Sequence, residues 1–342
     1  HHAHHHGCRP VAGARQQRGA FMRSRALEQD TGAANKSGNW PPSPKPQAPS
    51  HTSASPGDLA GDKTFAGTLK VMTFNLLAPC YFRSDGVYES TTMGKTLERH
   101  KCIIHVLKEQ KCDVYCLQEF WFNDNLRNLY QEELGHLYFI KCLQRTRSED
   151  GVAVLLLKEK FHVVNDHHIL FREHSKFGHD RVALVVLAQL TNQPAFGNFP
   201  ARGEAGAEGS GSGSRCSPPI AFVTSHLTYP HHTLDEYSRL EQAKVLVSKS
   251  KEFVDVSCPP GTPVVIAGDF NGTAEDQVCE EMRASGYMDA FAQATGILQS
   301  RITHCDHRKN QKGVDYIWVS QEGKQQQQQQ HEEEEERGER GE

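Results

Sequence analysis

The sequence predicts an α/β domain built of layered sheets and helices. Three observations carry this. Strand-length apolar runs recur along the middle of the chain. Helix-like stretches separate several of them. Most of the runs are nearly continuous in Val, Ile, Leu and Phe rather than alternating with polar residues. A continuous apolar run suits a strand covered on both faces, and strands interleaved with helices bury such faces in layers.

The expected strands are Leu69–Leu76, Asp113–Gln118, Val152–Leu157, Val182–Leu190, Ile220–Ser225, Pro263–Ala267 and Val314–Val319. One helix is expected over 94–110, where Leu97, Ile104 and Leu107 fall on one face. A second should run from a capping box of Thr233 and Glu236 to about Val254, with Leu234, Tyr237, Leu240 and Val247 on its apolar side.

Outside these runs the composition changes. Residues 1–66 are rich in His, Gly, Pro, Ser, Ala and Gln without sustained apolar periodicity, and read as a disordered leader. Five arginines (Arg9, Arg15, Arg18, Arg23, Arg25) precede Glu28 with no acid among them, a pattern shared with organelle transit peptides. Cytoplasm is the default compartment, with chloroplast or mitochondrion kept open by this leader. Residues 193–218 contain GEAGAEGSGSGS between two strand-like runs and read as an inserted surface loop. Residues 321–342, with six consecutive glutamines and five glutamates, read as a solvated tail. The folded domain is therefore expected over 67–320.

Bulk properties narrow the function. The formal net charge of -4 offers no global field for nucleic acid, though it leaves local basic patches open. No run of 18 apolar residues occurs, so no membrane span is expected. The 10 cysteines show no CxxC pairing and read as reduced thiols of an intracellular protein, several of them buried. Oligomeric state is not legible.

Polar residues stand where the apolar strands end: Asn75 in VMTFNLLAP, Glu119 in DVYCLQEF, His226 in AFVTSHLTYP, Asp269 and Asn271 in PVVIAGDFNG, and Asp315 in KGVDYIWV. Singly, an Asn or Asp ending a strand is most often a turn residue, and a lone His a satisfied rim residue. Glu119 resists that reading, because a carboxylate after VYCLQ is partly buried and needs a partner. Together they make a set with a chemical logic. Phosphodiesters repel nucleophiles through their anionic oxygens, and a hard cation held by carboxylate and amide oxygens offsets that charge. Glu119 and Asn75 supply such oxygens. Asp269 can deprotonate or align a water, Asn271 can orient it, and His226 can bind a phosphoryl oxygen. With no HExxH, no Cys-rich zinc pattern and no Walker-type loop, Mg²⁺ or Mn²⁺ fits better than Zn²⁺.

The segments TFNLLAP, CLQEFW, SHL, AGDFNG and GVDYIW, in this order, resemble the endonuclease/exonuclease/phosphatase superfamily, over about 250 residues. FNLLAP is similar to the branch of carbon-catabolite-repressor-type deadenylases and nocturnin. THCDHRKNQKGVDYIW is similar to a plant and algal group of calcium-binding members, in which EF-hand loops follow the domain; DxDxDG spacing does not occur in this sequence. The resemblance implies a four-layer α/β sandwich of the DNase I-like type, two central sheets with helices outside. It implies Glu119 as the principal metal ligand with Asn75 in support. His226 would sit on the scissile phosphate, Asp269 and Asn271 on the nucleophilic water. Asp315 would orient a last histidine. The superfamily pattern ends in a Ser-Asp-His segment on a further strand, which does not occur after Ser320, so the sandwich is expected to lack its final strand.

The expected activity is metal-dependent phosphoester hydrolysis, of RNA by a 3′-to-5′ exoribonuclease-like enzyme or of another phosphorylated nucleotide. The alternatives are a phosphatase on a small nucleotide, inositol phosphate or sphingolipid headgroup, and an inactive binding or scaffold protein. Arg145, Arg147, Lys176, Arg181, Arg308, Lys309 and Lys312 are candidates for a phosphate-binding rim. Tyr81, Phe82, Trp121 and Phe122 are candidates for base stacking.

Overall fold

Apolar runs of this kind close into two sheets in the computed structural model, which describes residues 68–191, 218–298, 301–305 and 309–321. The leader, the inserted loop and the tail lie outside the described residues, apart from the boundary residues Pro218 and Gln321.

In chain order the elements are β1 (Val71–Asn75), a two-residue ribbon of β2 (Arg83–Ser84) and β3 (Val87–Tyr88), α1 (Met93–Gln110), β4 (Val114–Trp121), α2 (Asp124–Leu134), β5 (Tyr138–Gln144), β6 (Asp150–Leu157), β7 (Phe161–Leu170), β8 (Val182–Leu190), β9 (Ile220–His226), α3 (Leu234–Ser257), β10 (Val264–Asp269), α4 (Gln277–Ala284), β11 (Tyr287–Asp289), α5 (Ala290–Thr295), a second ribbon of β12 (His304–Cys305) and β13 (Gln311–Lys312), and β14 (Asp315–Ser320). One sheet has four strands in the order β1-β4-β6-β5, the other six in the order β11-β14-β10-β9-β8-β7.

Strand alternation explains how these layers stack. Along β4, Val114 and Cys116 join Val152, Val154, Leu184, Val186, Phe222 and Ala267 in a core between the sheets. The intervening Tyr115 and Leu117 face the other way, onto Ile104 and Leu107 of α1 and Leu126, Tyr130 and Leu134 of α2. On the second sheet Val223, Ile266, Tyr316 and Trp318 face Ala243 and Leu246 of α3 and Val278 and Met282 of α4. The result is helix, sheet, sheet, helix, with three apolar layers between, as expected for the sandwich. Within the described residues β14 is the last strand and lies between β10 and β11, while β1 has β4 as its neighbour and is only half-buried throughout.

Two expectations are corrected. The capping box of Thr233 and Glu236 does not form: Thr233 is in the helical region and its side chain makes no cap bond. Asp235 does that work instead, accepting from the backbone N–H of His231 and His232 at 2.8 and 2.7 Å. The apolar side assigned to the start of α3 is also wrong, since Leu234 and Tyr237 are exposed. The face buried there is Ser238, Arg239 and Gln242. Gln242 accepts from Thr228 N and donates to Thr228 Oγ1 and Phe177 O, at 3.0, 2.8 and 2.9 Å. That end of α3 packs on polar loop backbone, so hydrogen-bonding capacity, not hydropathy, selects its residues.

The cysteine expectation holds in part. Among the described cysteines Cys112, Cys116 and Cys279 are buried, while Cys102 and Cys305 are exposed. Among the described residues no helix is long and apolar enough to cross a membrane.

Gly268 marks the tightest approach near the ends of β9 and β10. A Cβ there would sit 2.1 Å from the Ser225 carbonyl oxygen on the paired strand. Because the obstacle is backbone, Gly268→Ala is expected to cost about 1–3 kcal/mol in urea unfolding and to move Asp269 relative to His226. A variant of unchanged stability and activity would show that the strands part freely here.

Candidate active site

The same alternation places the expected site residues. Odd-numbered positions of β1 and β10 and even-numbered positions of β9 face the gap between the sheets, as Val71, Val265, Ala267, Ile220 and Phe222 do. Asn75, Asp269 and His226 continue these rows at the strand ends, and so come to the mouth of the gap. Asp315 opens β14 on the same side as Ile317, directly opposite Asp269 in the ladder, while His226 pairs with Asp269 from the other flank.

Glu119 needs a device. After Gln118, strict alternation would aim it at α1 and α2. The register of β4 against β6 shifts between Gln118 and Phe120, and Glu119 has φ of 54°. This bulge turns the carboxylate to the site and restores Phe120 to the helix-facing core. Asn271 also takes a left-handed backbone, with φ of 50°. Two strained non-glycine residues in one site indicate that side-chain chemistry outweighs backbone preference there.

The side chains meet across the sheets. Asn75 donates its amide nitrogen to Glu119 Oε1 at 2.9 Å and to Asp269 Oδ2 at 3.1 Å. Its oxygen accepts from Leu77 N at 2.9 Å. The other oxygen of Glu119 accepts from Ala78 N at 2.8 Å, and Asp269 Oδ1 accepts from Asn271 N at 2.9 Å. His226 Nδ1 lies 3.9 Å from Glu119 Oε1, and Nε2 lies 3.8 Å from Asp269 Oδ2. All six expected residues are therefore at one place, with Asp315 on its flank.

Asn271 fixes the imidazole. Its amide nitrogen donates to Leu227 O and to His226 Nε2, both at 2.9 Å. Leu227 O can only accept, so the amide nitrogen faces it; Nε2 is then an acceptor and the ring proton sits on Nδ1. Nδ1 is buried and has no hydrogen-bond partner. Besides the water-orienting part expected of it, Asn271 thus holds the His226 ring in one orientation.

Burial governs the charges. It holds the His226 imidazole well below its usual range, helped by Arg181 and Arg145, so the ring is neutral. Burial raises Glu119 above the usual carboxylate range against the opposing bonds from Asn75 and Ala78. It raises Asp269 to about 7, with the charges of Asp315 and Glu119 acting in the same direction. Asp315 is also raised by burial, while Thr303 and His304 work against it.

These desolvated acids share one amide, an arrangement short of positive charge that a hard cation fits. Among the described residues no three His, Cys, Asp or Glu side chains form a metal cage. Mg²⁺ does not need one, because it binds through one or two carboxylates while keeping waters or phosphate oxygens. Glu119 offers such a carboxylate, with Asp269 beside it, and the Asn75 amide donates to both.

Several contributors were not singled out beforehand. Gln118 donates to Thr224 Oγ1 at 3.0 Å across the sheets, one step beneath the site. Its signal was a polar residue, fully buried, inside an apolar strand. Thr303 Oγ1 accepts from Val314 N and Asp315 N, and Arg301 donates to Asp315 O at 2.6 Å. Neither had a sequence signal. Of the basic rim candidates, Arg145 is committed to Asp150 and Asp180 at 3.2 and 2.6 Å, and Arg181 to His226 O at 3.4 Å. Arg147, Lys176, Lys309 and Lys312 are exposed, and Arg308 lies outside the described residues.

Known proteins share this sequence pattern and this fold. The pattern of the Endonuclease/Exonuclease/phosphatase family matches residues 72–336, and the chain belongs to that family. It is 31% identical over 258 residues to an uncharacterized calcium-binding protein of Arabidopsis thaliana, covering 72% of this chain and 50% of that one. It is 27% identical over 191 residues to the RNA exonuclease NGL2 of Saccharomyces cerevisiae, covering 54% of this chain and 34% of that one. The chain thus spans half or less of the length of these relatives. The catalytic domain of human nocturnin, solved with a bound sulfate anion, superposes with a TM-score of 0.53 at 19% identity, over 74% of this chain and 82% of that one. At that identity the likeness shows the fold alone.

The raised Asp269 makes stability depend on pH. Between its unfolded value near 3.8 and its folded value of about 7, the native state holds a proton that the unfolded chain has released. Its contribution is therefore full below about pH 4 and is lost as pH rises through about 7. In EDTA, the melting temperature of Asp269→Asn minus that of the unaltered protein should grow more positive from pH 4 to pH 8. A difference that is flat across this range would show that Asp269 is not proton-bound in the fold.

Proposed function

We propose that this chain is a Mg²⁺-dependent phosphodiesterase acting on RNA, with 3′-to-5′ exonuclease polarity. The observation that supports it most is the Asn75 amide spanning Glu119 and Asp269 beside a neutral His226 with an unpartnered Nδ1–H. Glu119, bonded to the Asn75 amide, would hold the cation, and a hard divalent ion there would offset the charge of the phosphodiester.

The chain's own groups supply the rest. Asp269, with a pKa raised to about 7, is matched to take a proton from an attacking water near neutral pH. His226 presents a neutral N–H for a phosphoryl oxygen whose charge grows as the bond forms. Asn271 holds the ring in one orientation, and the buried Nδ1 would be reached as the phosphate enters the cluster. Asp315 keeps the pKa of Asp269 high through its charge on the opposite strand. RNA as substrate is supported by the kinship to NGL2, named an RNA exonuclease, and by the FNLLAP segment.

With Mg²⁺, poly(A) and generic RNA should be hydrolysed, and EDTA should abolish turnover. Glu119→Ala and His226→Ala should each lower kcat/KM by about 100-fold or more. Cleavage that survives Glu119→Ala would contradict the assigned cation site. Turnover confined to NADP(H), an inositol phosphate or sphingomyelin would replace RNA with a small phosphoester. No turnover of any of them by a folded sample would favour a binding or scaffold role.

A further inference from the structure

We propose that Tyr81 is a fixed platform on which the nucleobase next to the scissile phosphate stacks; this rests on the phosphodiesterase reading above. Tyrosine ordinarily buries its ring and leaves the hydroxyl in water. Tyr81 does the reverse. The residue is 47% exposed, yet its hydroxyl donates to Asp150 Oδ1 at 2.9 Å and accepts from Arg145 Nη1 at 3.2 Å. Asp150 is 1% exposed. Desolvation and the Asp150 charge push the phenol up to about 12, as expected for a hydroxyl turned inward. What faces solvent is therefore the ring.

The anchor is itself held. Arg145 bridges Asp150 and Asp180, and Ser148 Oγ donates to Asp180 Oδ2 at 2.7 Å. The ring also has a short backbone path to the chemistry. Tyr81 N donates to Ala78 O at 2.9 Å, and Ala78 N donates to Glu119. The ring, left in water, adds little burial to the fold, and because its tip is held it loses little side-chain entropy when a flat partner covers it.

The other aromatic candidates do not offer this. Trp121 is buried, with Nε1 donating to Glu149 at 3.1 Å. Phe122 packs against the core and edge-on to Phe120. Phe82 is half-buried beneath the Arg99 guanidinium. The occupant that suits an exposed π-face beside a phosphodiester site is a base, since every base has a π-face and stacking tolerates sequence.

The test uses an RNA tetranucleotide, phosphorothioate-linked to suppress turnover, with 2-aminopurine at its 3′ end. Fluorescence quenching reads its binding in Mg²⁺. A matched chain with an abasic 3′ residue is read by competition. Tyr81→Ala should weaken the 2-aminopurine chain about 10-fold and leave the abasic chain unchanged. Tyr81→Phe and Tyr81→Trp, which keep a ring but lose the hydroxyl anchor, should bind the base within about threefold of the unaltered protein. A purely structural tyrosine would instead make Phe and Trp as damaging as Ala. Equal weakening of both chains by Tyr81→Ala, no weakening of either, or no preference of the unaltered protein for the base overturns the proposal. Base-dependent binding without hydrolysis of ordinary RNA would reject the enzymatic reading and leave the platform standing.

Discussion

The Asn75 amide is the contact on which the rest of the site depends. It projects from β1 in one sheet, and its nitrogen reaches Glu119 of that sheet and Asp269 of the other. Two buried carboxylates at such range repel one another, and neither sheet holds both. A single neutral donor between them offsets part of that repulsion and sets their spacing. Beneath it, Gln118 to Thr224 makes a second polar link between the sheets inside an otherwise apolar layer. The gap between the sheets is thus sealed by hydrocarbon along its length and tied by amides at its mouth. That is why the functional groups stand on strand ends and are held with little freedom.

The electrostatics follow from the same position. Strand-end residues at the rim of a sandwich are partly withdrawn from water, so burial is the first cause of the shifts at His226, Glu119, Asp269 and Asp315. For the histidine this yields a neutral donor. For the acids it yields groups reluctant to ionise without a cation. One physical cause therefore sets a neutral imidazole N–H beside an acid that titrates near neutrality, the two groups the proposed hydrolysis uses.

The five strand ends were legible because each interrupts an apolar run with a polar residue, which a buried strand rarely does without a reason. The layers were legible for the same cause: β4, β8 and β9 are buried on both faces and their sequences are continuous in apolar residues. Edge strands were not. β7, FHVVNDHHIL, is half solvent-facing and bulged between Val163 and Asn165, so it carries neither a continuous nor an alternating pattern. The start of α3 was misread because hydropathy cannot register a face of Ser238, Arg239 and Gln242 that is buried to satisfy loop backbone. The bulge at Glu119 was invisible because no glycine announces it; the left-handed backbone is imposed by the carboxylate's partners rather than by local preference.

The distribution of cations bears on how a polyanion would be held. With a net charge of -4 the chain has no overall attraction for RNA. The arginines nearest the site are already in use. Arg145 is shared between two acids, and Arg181 lies against the His226 carbonyl. They stabilise the frame and depress the pKa of the imidazole, and little of their charge faces outward. Affinity must then come from a few local contacts rather than a basic field: the phosphate at the carboxylate cluster, and an apolar surface for what the phosphate carries. On the proposed reading, the group attached to the phosphate would matter more than the length of the chain. The reversed tyrosine follows from the same arrangement, since the acid that pins its hydroxyl is the acid that occupies Arg145.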